Sequence, residues 1–143
     1  MLVHAELTGR VLKIFYDVYN QLGFGFPERI YHRAMLLDLR AAGLEVESEV
    51  TLPVWFRGRT IGRFRADLVL KRSVIVELKT LPLIYPANVV QLLNYLKSTR
   101  QEIGLLLNFG RKPQIKRVIL TSNYKNPPNG IRGDPRPPAK SVR

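Results

Sequence analysis

Arg65-Ala66-Asp67-Leu68-Val69-Leu70-Lys71-Arg72-Ser73-Val74-Ile75-Val76-Glu77-Leu78-Lys79 is the stretch whose reading decides the fold. Two alternating, largely apolar runs flank Lys71-Arg72-Ser73, a pattern that predicts a hairpin. A three-residue turn would pair Leu70 with Val74, so that Asp67 faces Glu77 and Arg65 faces Lys79. In that register Phe64, Ala66, Leu68, Leu70, Val74, Val76 and Leu78 share one wholly apolar face. Arg65, Asp67, Val69, Ile75, Glu77 and Lys79 share the other. A two-residue turn would change the parity and mix the faces, so the three-residue turn is the one expected.

Carboxylates facing each other on neighbouring strands have Cβ atoms about 4.5–5.5 Å apart, and like charges there destabilise a hairpin unless something offsets them. Protonation, a basic partner or a divalent cation could do so. Mg²⁺ is commonly bound by one or two carboxylates together with waters and a substrate phosphate. Lys79, two residues beyond Glu77, points its ammonium at the same place. Two acids, a metal and a lysine suit phosphodiester hydrolysis, in which a metal-bound water is activated and charge on the phosphorane is stabilised. The plainer alternative is a solvated hairpin on which Lys79 merely neutralises Glu77. Val69 and Ile75 weigh against it, because apolar neighbours imply that the charged face is itself partly covered, and covered charges need partners.

Outward from the hairpin, Val46 to Phe56 reads as a strand with Pro53 marking an edge or a bulge. Arg57-Gly58-Arg59 is a turn, and Ile61 to Leu70 is the next strand. Val74 to Lys79 is the third. Upstream, Val11, Leu12, Phe15, Val18, Tyr19 and Leu22 fall at helical spacing, with Thr8 as cap and Gly23 as stop. Pro27 and Glu28 open a second helix with Ile30, Ala34, Leu37 and Ala41 as its apolar stripe, ended by Gly43. Downstream, Pro86 starts a helix running to about Arg100, with Val89, Leu92, Leu93 and Leu96 facing the core. Ile103 to Phe109 is a buried strand, and Val118 to Thr121 a last short one. The order predicts an α/β fold, a mixed β-sheet flanked by helices, over residues 1–123. Residues 124–143, with five prolines, two glycines and five basic residues against Asp134, read as a disordered basic tail.

Composition sets the outer limits. A chain of 143 residues suits one domain. Lys and Arg total 23 against 11 Asp and Glu, a net charge of +12 that favours a polyanionic partner, nucleic acid first. The absence of cysteine excludes disulfides, thiolate metal sites and cysteine nucleophiles. No apolar run reaches the roughly 20 residues of a membrane span, and Met1 to Arg10 lacks a signal-peptide core. A cytoplasmic protein with no membrane partner is therefore expected. A homodimer stays open.

Asp67 followed by Glu77-Leu78-Lys79 resembles the signature of the PD-(D/E)XK nuclease superfamily. Gly25-Phe26-Pro27-Glu28-Arg29-Ile30-Tyr31 matches the Gly-x-x-Glu-x-x-Tyr pattern of the GxxExxY family within it. Gln91-x-x-x-Tyr95 and Gly104-Leu105-Leu106-Leu107-Asn108-Phe109-Gly110 continue the resemblance, which spans roughly residues 6 to 121 in the family's order. One departure is Ala66, where many superfamily members have proline; no ligand is lost by it.

The resemblance implies a restriction-endonuclease-like core and a nuclease using Mg²⁺ or Mn²⁺; DNA is the substrate expected first, and RNA stays open. Asp67, Glu77 and the backbone carbonyl of Leu78 would hold the metal, and Lys79 would position or activate the attacking water. Glu28 would add an acid to the site, and Gln91 would hold its geometry or touch substrate. Each also has a plainer reading, Glu28 as a helix-dipole acid and Gln91 as a solvated helix residue. Tyr31 and Tyr95 read as packing residues with polar tips, His4 and His32 as surface residues, and Trp55 as packing. Arg57, Arg59, Arg63 and Arg65, and again Arg111, Lys112, Lys116 and Arg117, are either solvated faces or phosphate contacts, which supply affinity without sequence preference. Two rivals remain: a nucleic-acid-binding protein that keeps the fold without turnover, and a basic accessory protein whose tail does the work.

Overall fold

The computed structural model describes residues 4–97 and 99–121. Eight elements follow the expected order: α1 (Ala5–Leu22), α2 (Glu28–Ala41), β1 (Val46–Phe56), β2 (Arg59–Leu70), β3 (Val74–Lys79), α3 (Pro86–Lys97), β4 (Ile103–Phe109) and β5 (Pro113–Ile119). One mixed sheet has the order β1-β2-β3-β4-β5; only β3 and β4 run parallel, joined by the α3 crossover. Among the described residues no helix is long and apolar enough to cross a membrane. The expected tail, 124–143, lies outside the described residues.

Helices cover both faces of the sheet. On one face α1 buries Leu7, Val11, Phe15 and Val18, and α2 buries Tyr31, Met35 and Leu39. These repeats of three and four residues make one stripe per helix. They meet Leu68, Leu70, Val74, Val76, Leu78, Ile103, Leu105, Leu107 and Phe109. Phe109 stacks on Tyr31 at 4.2 Å and takes Phe15 edge-on at 4.9 Å. Losing a ring of that kind from a core costs about 3–5 kcal/mol. On the other face Leu92 and Leu96 of α3 pack on Leu52, Ala66, Val69, Ile75 and Leu106. Gly104 lets α3 come this close, since a Cβ there would stand 2.8 Å from Leu92. Every residue of β4 is buried, as a strand covered on both sides requires.

The three-residue turn is confirmed by the pairs Leu70–Val74, Val69–Ile75 and Leu68–Val76. Beyond Val76 no further pair forms, so Arg65 does not face Lys79. The single apolar face also fails at Asp67: Leu68 and Leu70 lie under α1 and α2, while Ala66 and Phe64 lie on the α3 side. The cause is a local irregularity in both strands of the β1–β2 hairpin. Between the pairs Ser48–Leu68 and Val50–Ala66, Glu49 takes a left-handed φ of 53°, and the parity of both strands changes there.

Smaller corrections have equally local reasons. α1 begins a turn earlier than expected, and the Thr8 N–H already donates to the His4 carbonyl at 2.9 Å. Thr8 is thus a buried helix-interior residue and not the cap. α3 ends at Lys97 rather than near Arg100. β5 starts at Pro113, not Val118, because Gln114 to Lys116 continue the ladder with β4 although their side chains do not alternate cleanly. β1 is an edge strand, as Pro53 required, with a register shift between Val54 and Trp55.

Candidate active site

The site forms where the β2–β3 ladder stops. Past the Leu68–Val76 pair the strands part, and side chains bridge the gap. The Leu78 N–H donates to Asp67 Oδ2 at 2.7 Å, and the Asp67 N–H donates to Glu77 Oε2 at 3.3 Å. Each carboxylate therefore holds the other strand's backbone. A residue in an extended strand presents its N–H and C=O on the same edge, so the Leu78 carbonyl opens into the gap as well.

Glu77 is 9% exposed. Burial, then the negative charge of Asp67, pushes its carboxyl up to about 8, although the Asp67 N–H and the Lys79 ammonium act the other way. Glu77 and Lys79 share strand parity with Ile75, on the α3 side. From the opposite side α2 brings in Glu28 at its first turn. Its carboxyl is also raised, by partial burial first and then by Asp67, with Lys79 and His32 opposing. Glu28 and Asp67 line one cleft of 630 Å³ with Arg29, His32, Arg33 and Ser48. The expected constellation of Asp67, Glu77, Lys79 and Glu28 is thus brought together in space.

Gln91 is exposed on α3 and hydrogen-bonds the Tyr95 side chain. Tyr95 stacks flat on Phe64, with ring centres 3.6 Å apart. Its hydroxyl pKa is raised by burial and by the charges of Glu77 and Asp67. Tyr95 is therefore a site neighbour and not packing alone. Tyr31 is the packing residue expected, its hydroxyl tied to the loop before Glu28.

Two residues at the site carried little sequence signal. Asn108 is buried on β4 beside Lys79. Its amide accepts from the Leu81 N–H at 2.8 Å and donates to the Leu81 carbonyl at 2.9 Å, clamping the loop that follows Lys79. The available hint was a polar residue one short of the end of an otherwise apolar strand, inside the Gly104–Gly110 stretch that carries the resemblance. His32, expected at the surface, is half-buried with Nε2 2.7 Å from Ser48 Oγ; that pairing spans sixteen residues and had no local signature.

The basic residues do not form two uniform patches. Arg57, Arg59, Arg63 and Arg65 are all exposed along the β1–β2 hairpin, Arg65 3.8 Å from Glu49. Lys112 is exposed in the β4–β5 turn. Lys116 pairs with Leu106 and Arg117 with Leu105, residues of opposite sheet faces. Arg117 is half-buried with Nε and one terminal nitrogen shielded from solvent, so it does not join Lys112 and Lys116 in one surface.

A five-stranded mixed sheet, helices on both faces and two acids at a strand gap define a restriction-endonuclease-like α/β fold. The family model of the PD-(D/E)XK nuclease superfamily matches residues 5–118; the chain belongs to that superfamily, whose members are typically metal-using nucleases. The fold is similar to the crystal structure of SSO0001, with a TM-score of 0.50 and 21% identity over 65% of this chain and 50% of that one. This chain thus spans about half the length of that protein. No curated protein matches the sequence.

Proposed function

We propose that the protein hydrolyses phosphodiester bonds, in DNA by preference, at the gap between β2 and β3, with Mg²⁺ or Mn²⁺. The observation that carries this reading is the mutual bridging of Asp67 and Glu77 across the gap, which holds two acids together where their charges repel. The donor set fits a hard divalent cation: two carboxylates, the Leu78 carbonyl, and oxygens of substrate and water. When bound, such an ion would lower the pKa of a coordinated water and offset phosphate charge.

The chain's own residues do the rest. Asp67 and Glu77 hold the cation, and Lys79 orients the attacking water or stabilises charge on the phosphate. Glu28 supplies a further acid across the cleft. Gln91 acts through Tyr95. Arg57, Arg59, Arg63, Arg65, Lys112 and Lys116 contact backbone phosphates. The Gly25, Glu28 and Tyr31 pattern supports placement in the GxxExxY family, since Tyr31 fixes the loop that delivers Glu28.

Incubation with plasmid, single-stranded DNA and RNA, each with Mg²⁺, Mn²⁺ or EDTA, tests the reading. Cleavage that requires a divalent cation and is lost in Asp67→Ala and Glu77→Ala is expected. Binding without cleavage under every condition would instead favour a nucleic-acid-binding protein on a nuclease fold.

A further inference from the structure

The loop between α1 and α2 carries two aromatic rings that the acid pair does not explain. Phe24 is 55% exposed and Phe26 44% exposed, both directly ahead of Glu28. Rings this open would gain by folding onto the surface; here the backbone holds them out. Tyr31 is fully buried and donates its hydroxyl to the Gly23 carbonyl at 2.6 Å, while accepting the Phe26 N–H at 3.2 Å. Its ring meets Phe26 edge-on at 6.0 Å. Gly23 and Gly25 take φ of 70° and 113°, conformations that strain any residue with a Cβ, so the path presenting the rings depends on them.

A cation stands beside the rings. Arg111, in the turn after β4, sets its guanidinium 5.6 Å from the centre of Phe24. That turn is itself held, with the Tyr19 hydroxyl 2.7 Å from the Gly110 carbonyl and 2.6 Å from the Arg111 carbonyl. Phe26 lies two residues before Glu28, which lines the same cleft as Asp67.

We propose that Phe24 and Phe26 form a nucleobase-stacking platform, with Arg111 as its phosphate contact, and that substrate enters as an unpaired strand or frayed end. The proposal rests on the nuclease reading and narrows its substrate. A base lies on a phenyl ring only after leaving a neighbour in its own stack, so the platform selects unpaired nucleotides. Every base has a π-face, so the selection carries little sequence preference. The Arg111 guanidinium can serve ring and phosphate together.

The test uses the full chain and oligonucleotides carrying 2-aminopurine, a fluorescent adenine analogue quenched by stacking. Binding is measured with Ca²⁺ replacing Mg²⁺, and cleavage separately with Mg²⁺. The wild type should quench the single-stranded probe. Phe24→Ala and Phe26→Ala should each weaken single-strand binding about ten-fold, on the scale of one lost base stack, and leave blunt-duplex binding unchanged. Trp at either position should restore binding and Leu should not, and every variant should keep one cooperative unfolding transition, with at most the modest fall in melting temperature that losing a half-exposed ring brings. Three outcomes would overturn the platform: no quenching, equal losses on single strand and duplex, or a change in oligomeric state without a change in quenching. A wild type that cleaves no nucleic acid with any metal would defeat the nuclease reading separately, since the binding arm still reads the platform.

Discussion

The carboxylate of Asp67 accepts the Leu78 N–H at 2.7 Å, in the place where a continuous hairpin would have had a ladder bond. Asp67 is therefore a structural tie as well as a candidate ligand, and the two roles separate by substitution. Asp67→Asn keeps an acceptor oxygen and the volume while removing the charge. Above pH 8, where Glu77 is ionised, metal-free Asp67→Asn should unfold in urea at or above the wild-type midpoint, because the repulsion with Glu77 is gone. Asp67→Ala should lose about 1.5–3 kcal/mol, the scale of a hydrogen bond to a charged group. Neither variant should show the rise in melting temperature that Mg²⁺ gives a protein binding it only when folded. A full Mg²⁺ increment in Asp67→Asn would remove Asp67 from the ligand set.

Glu77 predicts a pH dependence of definite sign. Its folded-state value is carried to about 8 from an ordinary 4.5, by burial and then by Asp67. Between those values the folded protein holds a proton that the unfolded chain has released. The contribution is thus complete below the unfolded value and is lost as pH rises toward the folded one. In EDTA, wild-type melting temperature should fall as pH rises from about 5 to about 8, and Glu77→Gln should flatten the curve. Mg²⁺, which favours the ionised acid, should raise the melting temperature more at the upper end of that range. A wild-type curve that climbs across this window would show that Glu77 is ionised in the folded protein.

Tyr31→Phe isolates the hydroxyl that ties Gly23 to Phe26 while leaving the ring stacked on Phe109. The carbonyl of Gly23 and the N–H of Phe26 then lose a shared partner, at a cost of about 1–3 kcal/mol if they stay shielded from water. Chemical denaturation should show that loss, and Glu28-dependent activity should fall with it because the loop sets the start of α2. Unchanged stability would mean that water replaces the hydroxyl without penalty.

The strands around Lys71-Arg72-Ser73 were legible because parity is a strict constraint: one slip sends Val74, Val76 and Leu78 together to the other face and puts Glu77 and Lys79 under α1 and α2. That constraint says nothing about which helix covers a face. Phe64 and Ala66 look like partners of Leu68 in sequence, yet Glu49 turns the hairpin and sends them to α3. The acid pair was legible from register alone. The parting of the strands was not, because a side chain that replaces a ladder bond looks the same in sequence as one that points to solvent. Asn108 and His32 depend on contacts made across the fold, to Leu81 and to Ser48, for which local periodicity carries no trace. Lys116 and Arg117 show the reverse error: neighbours in sequence read as one patch, although a strand sends them to opposite faces.

Lys79 gives the sharpest division between chemistry and surface charge. It is half-buried on β3, opposite Asn108 in the ladder with β4, and its charge opposes the upward shift of both Glu77 and Glu28. If its work is to orient water or stabilise the transition state, the effect falls mainly on turnover. Lys79→Ala should lower kcat about 10²-fold or more, the scale of one lost electrostatic stabiliser. Substrate affinity measured with Ca²⁺ in place of Mg²⁺ should change far less. Lys79→Arg should not rescue, because a planar guanidinium does not fit where a compact ammonium stood. If Lys79 only neutralises Glu77, both substitutions would instead change stability, by about 1 kcal/mol or less for a partly solvated pair, and leave turnover intact. Single-turnover cleavage and urea unfolding on the same preparations distinguish the two. Wild-type turnover in Lys79→Ala would overturn the catalytic role and leave Asp67 and Glu77 as a metal site without its proposed chemistry.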